Sequence, residues 1–455
     1  MPEDTICSVS TPPGEGAIGI IRLSGPRALE TAGGVFTPTG KKDAGNLTPR
    51  VLYNGIIRDA EGFELDDVLF AFYKGPRSYT GEDMAEIFCH GGHWLTERIL
   101  LLLLALGARP AGPGEFTRRA FLNGKIDLAQ AESVAAVIRA GSDLELKLTR
   151  KMLKGEFSSL IESIRSSLID ISSKIETLLE FPEDDGTDRA ETAGILEDAA
   201  AVKERIEGLL KKSRMADSVK RGINIVITGL ANTGKSTLMN RLVGYEKSIV
   251  THVPGTTRDI LEEKMHLKGY PVNLIDTAGL KRSGDIVERI GVRRSVEKIK
   301  ASDLVLFVID LSAEDRRKDE KLYGRLKAKK HLLVGNKLDL AKGRALPEFS
   351  GRSVLPLSAK TGEGIEALEN AIKEKLGLME ISVNDVVTVQ KRHHMALREA
   401  GACLDAFINN SREGVTLDFL AEDIRKAARS LSLITGEIVT EDILDSIFSK
   451  FCIGK

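Results

Sequence analysis

The chain has 455 residues, 42% of them hydrophobic and 5% aromatic, which is enough for two or three domains with substantial cores. Its 65 lysines and arginines nearly balance its 66 aspartates and glutamates, so the formal net charge of -1 does not by itself predict nucleic-acid binding. The longest apolar run, Ile99 to Leu106, is far below the roughly 20 residues that span a bilayer. The N-terminus has no signal-peptide pattern and the four cysteines form no CxxC pair, so we expect a cytoplasmic protein without a disulfide scaffold or a zinc site.

The first 120 residues predict an α+β domain. Short β-type runs, such as Ala17 to Leu23 and Val68 to Tyr73, alternate with glycine and proline turns. One apolar helix is expected near Leu95 to Leu106.

From 121 to 221 the pattern becomes helical. Apolar residues recur at steps of three and four from Phe157 to Leu178, and such a stripe needs a partner helix. The same spacing returns at Leu417 to Leu431 and Ile443 to Phe451. We therefore predict one all-α domain, 121–221 and 379–455, interrupted by an inserted domain at 222–378. The basic runs Lys211-Lys212 and Lys391-Arg392-His393-His394 are expected to be solvated faces.

The inserted segment begins with a phosphate-binding loop. After the β-type run Ile223 to Ile227, the pattern GxxxxGK[ST] is filled by Gly229-Leu230-Ala231-Asn232-Thr233-Gly234-Lys235-Ser236. The glycines let backbone N–H groups turn toward phosphate oxygens, and Lys235 adds a positive charge at the β and γ phosphates. Since Ser236 is the natural Mg²⁺ ligand, the sequence predicts a nucleoside triphosphate site in a P-loop, Ras-like α/β domain.

The base is predicted to be guanine. Asn336-Lys337-Leu338-Asp339 follows the apolar run His331 to Val334, at the carboxyl end of a strand where an open α/β sheet reads bases. A carboxylate there can accept two N–H bonds from guanine, whereas adenine lacks that pair of donors. Ser358-Ala359-Lys360, after the strand-like Ser353 to Leu357, completes the pocket in the pattern of GTPases.

Two further segments predict a γ-phosphate sensor. Asp276-Thr277-Ala278-Gly279 ends the strand-like Val272 to Ile275, which places Asp276 near the metal and the Gly279 N–H near the γ-phosphate. Gly255-Thr256-Thr257-Arg258-Asp259 lies between this motif and the phosphate loop, where Thr257 can complete the Mg²⁺ coordination while GTP is bound. Hydrolysis is expected to release both segments.

The group that orients the attacking water is less evident. Leu280 follows the DTAG motif where many small GTPases carry a glutamine, so another residue must act. Glu288 is a candidate, although a solvated glutamate is the simpler interpretation of its charged surroundings. The amide oxygen of Asn232 could help to hold a monovalent cation that neutralises transition-state charge as an arginine does.

The motif set and both chain ends resemble the MnmE family, also called TrmE, of tRNA modification GTPases. Outside the GTPase motifs the resemblance rests on Thr11-Pro12-Pro13-Gly14, Gly19-Ile20-Ile21-Arg22, Tyr79-Thr80-Gly81-Glu82-Asp83, His90-Gly91-Gly92, Pro113-Gly114-Glu115-Phe116-Thr117, Arg119-Ala120-Phe121-Leu122-Asn123-Gly124-Lys125 and Phe451-Cys452-Ile453-Gly454-Lys455. Leu230-Ala231 departs from the family's usual arginine-proline and Thr233 from its frequent alanine, but backbone cradling of phosphate does not depend on those side chains.

The resemblance implies metal and catalytic roles. It assigns Mg²⁺ to Ser236 and Thr257, K⁺ to Asn232, Thr251, Val253 and Thr256, and catalysis to Glu288. Hydrolysis would then be driven by the pairing of two GTPase domains with K⁺ at their face. The expected GTP-binding set is Asn232, Thr233, Gly234, Lys235, Ser236, Thr237, Thr251, Val253, Gly255, Thr256, Thr257, Asp276, Thr277, Ala278, Gly279, Asn336, Lys337, Asp339, Ser358, Ala359 and Lys360.

The resemblance also implies a second ligand, a tetrahydrofolate one-carbon derivative, in the N-terminal domain. The residues that match the family's folate contacts are Arg22, Glu86, Lys125 and Lys455. A carboxylate suits the amino-pyrimidinone edge of a pterin, and cationic side chains suit the glutamate tail. The C-terminus is then expected to fold back toward this pocket. Cys452 suggests a nucleophile, yet no base partner is evident, so a buried thiol is at least as plausible.

The function implied by the resemblance is modification of C5 of wobble uridine 34 in certain tRNAs. The chain would act with MnmG, an FAD-containing partner, to add an aminomethyl or carboxymethylaminomethyl group, and would form a homodimer through its N-terminal domain. Two alternatives remain open from the sequence. One is a ribosome-assembly GTPase switch that binds RNA without modifying it, and the other is a folate-regulated scaffold.

Overall fold

The computed structural model describes residues 4–40, 47–180, 187–220, 222–245, 262–267, 270–276, 298–324, 329–341, 349, 351–376 and 390–455. The chain divides into two compact units. The first comprises Met1–Arg139, Thr149–Gly208 and Gln390–Lys455, and the second comprises Ala140–Leu148 and Leu209–Val389. None of the helices in the described ranges combines the length and apolar character needed to cross a membrane.

The first unit contains a sheet of seven strands in the order β3-β4-β5-β6-β2-β1-β7. All neighbours are antiparallel except the parallel pair β1 and β7. The strands are β1 Ile6–Val9, β2 Gly16–Ser24, β3 Phe36–Pro38, β4 Leu52–Arg58, β5 Glu64–Tyr73, β6 Met84–Gly91 and β7 Arg109–Pro110. Helices α1, Ala28–Gly33, and α2, His93–Ala105, pack on this sheet. The register places Arg22 directly opposite Glu86.

The helices that follow lie mainly in the first unit, and parts of two of them belong to the second. They are α3 Glu115–Leu122, α4 Leu128–Arg139, α5 Asp143–Leu153, α6 Glu156–Glu180 and α7 Thr187–Lys220. The apolar stripe of α6 is buried, as its three-and-four spacing predicts.

The second unit contains a sheet of six strands in the order β13-β12-β11-β8-β10-β9. The strands are β8 Ile223–Thr228, β9 Glu262–Leu267, β10 Tyr270–Asp276, β11 Leu304–Asp310, β12 His331–Asn336 and β13 Leu355–Pro356. β9 is antiparallel to β10, and the other pairs of neighbouring strands described in this sheet are parallel. The helices described between these strands and after β13 are α8 Lys235–Tyr245, α9 Arg317–Tyr323 and α10 Ile365–Leu376. β13 is shorter than the predicted Ser353 to Leu357, although the Leu357 N–H still donates to the Gly335 carbonyl of β12 at 2.8 Å.

The strand order changes direction at β8, which has β10 on one side and β11 on the other. In open parallel sheets, ligands bind at the carboxyl ends of the strands next to such a switch point. The loops that leave β8, β10, β12 and β13 carry the predicted nucleotide motifs. The predicted P-loop α/β fold of the inserted domain is confirmed.

The last helices return to the first unit. They are α11 Lys391–Arg412, α12 Leu417–Thr435 and α13 Glu441–Phe448. The apolar stripe of α6 packs against α12, which also packs against α11. The predicted partner of the stripe after the inserted domain is therefore confirmed.

One prediction about this region is wrong. The run that begins at Lys391 is not a solvated face, because His393 is 0% exposed and Glu132 of α4 is 5% exposed. His393 Nε2 lies 2.7 Å from Glu132 Oε2, and Arg392 pairs with the same carboxylate oxygen at 3.0 Å. The sequence pattern missed this cluster because its two halves are 260 residues apart.

Both ring nitrogens of His393 have polar neighbours. The Gln390 N–H donates to Nδ1 at 3.4 Å, whereas Nε2 lies 2.7 Å from Glu132 Oε2 and 2.9 Å from a terminal nitrogen of Arg392. A neutral ring whose Nδ1 accepts carries its proton on Nε2, which then donates to Glu132, and the Arg392 nitrogen contacts Nε2 without a hydrogen bond. Burial lowers the pKa of His393 despite the hydrogen bond and charge of Glu132, and Arg392 lowers it further. A neutral His393 thus caps the start of α11.

This cluster predicts an acid-sensitive stability. Because the folded pKa of His393 lies below its unfolded value of about 6.5, its contribution is fully present above that pH and is lost as the pH falls below it. We expect the parent's melting temperature to fall more steeply than that of His393→Gln between about pH 8 and about pH 5.5. Thermal unfolding followed by circular dichroism measures this. His394→Gln is the matched control and should keep the parent's slope, whereas equal slopes in parent and His393→Gln would contradict the prediction.

Candidate functional site

The phosphate loop connects β8 to α8 and depends on three left-handed backbone positions. Gly229, Asn232 and Gly234 have φ values of 146°, 63° and 87°. A Cβ atom at Gly229 would lie 2.2 Å from the Val308 carbonyl oxygen, and one at Gly234 would lie 2.2 Å from Asn336 Nδ2. The two glycines therefore leave no room for a side chain, whereas asparagine tolerates the left-handed region at the position between them.

The loop also holds its lysine. Lys235 is the first residue of α8 and is only 6% exposed. Its Nζ donates to the Leu230 carbonyl at 2.5 Å, and Thr233 Oγ1 donates to the same oxygen at 3.0 Å. Because a helix N-terminus carries partial positive charge, the loop joins a fixed cation to a helix dipole. The arrangement suits an anionic phosphate.

Two oxygen ligands meet beside this loop. Ser236 Oγ donates to Asp276 Oδ2 at 2.9 Å, at the carboxyl end of β10. Asp276 is 1% exposed, whereas Ser236 and the following Thr237 are exposed. Hydroxyl and carboxylate oxygens are the donors that Mg²⁺ prefers.

Asn336 connects the phosphate loop to the base loop. It is the last residue of β12, and its Nδ2 donates to the Thr233 carbonyl at 2.8 Å. Its Oδ1 accepts from the Ala359 N–H at 2.9 Å. The nitrogen and the oxygen of one buried amide thus both form hydrogen bonds. These bonds fix the distance between the phosphate loop and the loop that carries Ala359, which follow different strands.

The remaining base-loop residues are also held in place. Ser358 Oγ donates to Asp339 Oδ1 at 2.7 Å, which orients that carboxylate. Lys337, at φ 66°, pairs with Asp310 at 2.6 Å. Although burial raises the pKa of Asp310, hydrogen bonds from Lys337 and Ser312 bring that pKa below its usual value. The Asp310 carboxylate therefore stays ionised and holds Lys337.

A second link joins the phosphate helix to the base loop. Arg241 of α8 donates through Nε to the Ala359 carbonyl at 3.0 Å and through a terminal nitrogen to the Lys360 carbonyl. Neither Arg241 nor Asp310 was among the predicted site residues. They lie outside the motif tetrapeptides, so no local pattern signals them.

Several predicted site residues lie outside the described residues. They are Thr251, Val253, Gly255, Thr256, Thr257, Thr277, Ala278, Gly279 and Glu288. Their assigned roles in K⁺ and Mg²⁺ binding, γ-phosphate sensing and catalysis stay predictions.

A separate polar cluster lies on the sheet of the first unit. Arg22 of β2 pairs with Glu86 of β6 at 2.8 Å, and their side chains are 17% and 12% exposed. The Tyr73 hydroxyl donates to Glu86 Oε2 at 3.2 Å, and the Arg22 guanidinium lies 5.7 Å from the centre of the Tyr79 ring. An ion pair bordered by tyrosines is thus half-enclosed at the sheet surface.

The segment Phe451 to Lys455 reaches this cluster. The Gly454 carbonyl accepts from Ser10 Oγ at 3.1 Å and from Arg22 at 3.5 Å, and the Phe116 N–H donates to the Lys455 carbonyl at 3.2 Å. Burial and the charge of Arg22 lower the pKa of Lys455, against the opposing charge of Glu86. Arg22, Glu86 and Lys455 are therefore brought together.

Two neighbouring residues differ from this trio. Lys125 is exposed and donates to the Pro76 carbonyl at 2.8 Å, on the loop that carries Tyr79. Cys452 is exposed, so the expectation of a buried thiol is wrong. The Cys452 backbone carbonyl accepts a hydrogen bond from the Gly114 N–H at 3.4 Å, so the backbone at this position is bonded to the rest of the unit although the residue is exposed.

Comparison with known proteins decides the family. The model of the MnmE helical domain matches residues 128–452, and that of the GTP-binding protein TrmE N-terminus matches residues 5–125. The tRNA modification GTPase MnmE of Aquifex aeolicus is 42% identical over 454 residues, covering 99% of this chain and 100% of that protein. The chain belongs to the MnmE family of tRNA modification GTPases.

Further comparisons agree with this placement. The MnmE of Geotalea uraniireducens is 41% identical over 458 residues, covering 100% of this chain and 99% of its own. Among solved structures, the G domain of the Thermotoga maritima FeoB iron transporter is 32% identical and covers 34% of this chain and 98% of its own. The TM-score of 0.26 is too low to carry an argument. The full-length relatives and the two domain matches therefore carry the assignment to the MnmE family. The nucleotide site described above agrees with it, since these relatives are named GTPases.

The phosphate loop of this MnmE-family chain predicts a sharp glycine requirement. Gly234→Ala would force an alanine into the left-handed region and against Asn336 Nδ2, at a cost of about 1–3 kcal/mol. We expect guanine-nucleotide affinity to fall about 10- to 100-fold. Titration with a fluorescent GDP analogue measures this. Gly244→Ala is the matched control, since a Cβ there meets nothing within 4 Å; equal losses in both variants would contradict the prediction.

Proposed function

We propose that this chain is a K⁺-dependent, Mg²⁺-dependent GTPase that modifies C5 of wobble uridine 34 in certain tRNAs in the cytoplasm. It would act with an FAD-containing MnmG partner and add an aminomethyl or carboxymethylaminomethyl group from a tetrahydrofolate-borne carbon. One observation carries the proposal. A guanine-nucleotide site and a separate Arg22, Glu86 and Lys455 cluster occur in one chain whose full-length relatives are named tRNA modification GTPases.

The described residues fit GTP. The left-handed loop positions and Lys235 suit the phosphates, and Asp339, oriented by Ser358, offers a carboxylate to the two N–H donors of guanine. Arg241 and Asn336 would hold the base loop in register with the phosphate loop. Guanine selection would then depend on a pocket that is already organised before the nucleotide binds.

The donor chemistry also fits the two cations. Ser236 and Asp276 supply the oxygens that Mg²⁺ prefers, with Thr257 as the further proposed ligand. The exposed Asn232 side chain offers an amide oxygen for K⁺, with Thr251, Val253 and Thr256 as its proposed partners. K⁺ would supply positive charge to the transition state, and Glu288 would orient water. A homodimer through the N-terminal domain would bring two GTPase domains within reach.

The Arg22 and Glu86 pair fits a folate. The Glu86 carboxylate accepts from both Arg22 and Tyr73, so it is positioned to accept from the amino-pyrimidinone edge of a pterin. Lys455 and Lys125 would offer cations to the glutamate end of the ligand. In this proposal GTP turnover gates the assembly in which the folate-borne carbon is used.

The K⁺ assignment is testable at Asn232. Asn232→Ala removes the one proposed K⁺ ligand in the described part of the phosphate loop while leaving its backbone N–H groups. We expect the stimulation of GTP hydrolysis by KCl over NaCl to fall by at least about tenfold, because one lost electrostatic contact typically costs that much or more. Steady-state hydrolysis at equal ionic strength and saturating GTP measures it, because an alanine at φ 63° is strained and is expected to lower GTP affinity as well. Asn240→Ala, an exposed asparagine on α8, is the control; equal stimulation in Asn232→Ala and the parent would exclude the assignment.

The tRNA activity is testable in cells. We expect deletion of this gene to remove the C5-aminomethyl family of uridines from tRNA, as measured by nucleoside mass spectrometry. The parent should restore them, and Glu288→Ala should not. Glu374→Ala, an exposed glutamate on α10, is the control and should restore them fully.

The other outcomes separate the alternatives. Unchanged nucleosides together with altered ribosomal particles would favour a ribosome-assembly switch. Unchanged nucleosides together with folate binding would favour a folate-regulated scaffold. If Glu288→Ala restores the modified uridines, the chain still modifies tRNA, but this modification does not depend on GTP hydrolysis.

A further inference from the structure

Three cations surround the loop from Lys74 to Asp83, which connects β5 to β6. Arg50 donates to the Arg77 carbonyl at 2.7 Å, and Lys125 donates to the Pro76 carbonyl at 2.8 Å. Because these two carbonyls are successive, the two charged groups lie at one short stretch of backbone. Arg77 itself is exposed, as are the other two cations. We call Arg50, Arg77 and Lys125 the basic rim.

The charge of the basic rim is not neutralised by its neighbours. Within the described residues no ion pair involves any of its three members, whereas Lys74 of the same loop pairs with Asp83 at 2.7 Å. Like charges held close together repel, so the rim is a local excess of positive charge in a chain whose net charge is -1. Such a concentration favours an anion with more than one charge.

The loop under the rim is well anchored. Ser78 Oγ donates to the Glu82 carbonyl at 2.5 Å, Asn123 Nδ2 donates to the Thr80 carbonyl at 2.7 Å, and the Gly75 N–H donates to Asp83 at 2.9 Å. Since these bonds form within the chain itself, the backbone that carries the rim does not need to be ordered by a ligand. That lowers the entropic cost of binding.

The rim is continuous with the Arg22 and Glu86 cluster. Tyr79, in the same loop, lies over Arg22, and Tyr73 at the start of the loop donates to Glu86. Burial raises the pKa of Tyr73, and Glu86 raises it further, while the charges of Arg22 and Arg50 oppose this rise. The loop whose Arg77 carbonyl accepts from Arg50 therefore also carries Tyr79 to Arg22, which connects the rim to the cluster.

We propose that the basic rim binds the poly-γ-glutamate tail of a tetrahydrofolate, so that this chain prefers polyglutamylated carriers. The inference rests on the folate site proposed above. Each added γ-linked glutamate brings one free α-carboxylate, and guanidinium and ammonium groups form charge-assisted hydrogen bonds with carboxylates. The rim thus extends the folate site outward from Glu86 and selects the length of the tail.

The size of the rim favours a tail over an RNA backbone. A protein that binds a nucleic-acid backbone often neutralises about 6–10 phosphates, along an extended basic surface. The basic rim offers only three cations, one on this loop and two that bond to its backbone, and it lies at the edge of the proposed folate site. A short carboxylate chain that starts in the pocket matches both features.

The test compares carriers of different tail length. The full chain is titrated by calorimetry with 5-formyltetrahydrofolate that carries one or three glutamates. We expect the triglutamate to bind about three- to tenfold more tightly, which is the combined size expected for two exposed ionic contacts. This preference should shrink as the ionic strength rises, because exposed charges are screened. Equal affinities at low salt would overturn the proposal.

Variants assign the effect to the rim. Arg50→Gln combined with Arg77→Gln should abolish the preference and keep monoglutamate affinity within about twofold. Arg429→Gln, which removes an exposed arginine of α12, is the control and should keep the preference. If the double variant still prefers the triglutamate carrier, the proposal is overturned. If the same variant also binds tRNA more weakly, the rim contacts RNA instead of the folate tail. If the parent binds neither carrier, the folate site itself fails and the inference fails with it.

Discussion

The shared amide of Asn336 is the constraint on which the nucleotide site depends. Its two ends bond to the Thr233 carbonyl and the Ala359 N–H, so one side chain sets the spacing of the phosphate loop and the base loop. Asn336 is 3% exposed, and leaving either end without its partner would cost about 1–3 kcal/mol. Gly234 must be a glycine because this amide occupies the space that a Cβ would need. Phosphate recognition and base recognition are therefore parts of one rigid arrangement, which Arg241 reinforces from α8.

Buried charges play a similar part in the first unit. Glu132 holds Arg392 and His393, and Arg119, at 2% exposure, is surrounded by Asp4, Glu82 and Glu115. Removing a buried cation such as Arg119 typically costs about 3–5 kcal/mol, because the carboxylate charge is left uncompensated. These clusters connect segments that are far apart in the chain. The Glu132 cluster joins the two halves of the helical domain across the inserted GTPase domain.

The sites in the two units share one physical strategy. A carboxylate is held by hydrogen bonds before any ligand arrives, Asp339 by Ser358 in one unit and Glu86 by Arg22 and Tyr73 in the other. A carboxylate that is already oriented loses little entropy when it accepts from a nitrogen heterocycle. Guanine and a pterin present similar N–H donors on their pyrimidinone edges, so the same device suits both proposed ligands.

The sequence by itself determined the elements whose signals are local. Strand runs, the helical stripe of α6 and the phosphate-loop motif could be predicted because their spacing reflects backbone geometry within a few residues. The likeness of the motifs also indicated the family. The tertiary structure alone decided which distant groups meet. Arg22 and Glu86 are 64 residues apart and face each other through strand register, and His393 is buried against Glu132 by helix packing. The tertiary structure also decided the contacts of Arg241, Asp310 and the basic rim. Each of them acts through contacts between elements that are distant in the sequence, and no local spacing specifies such contacts.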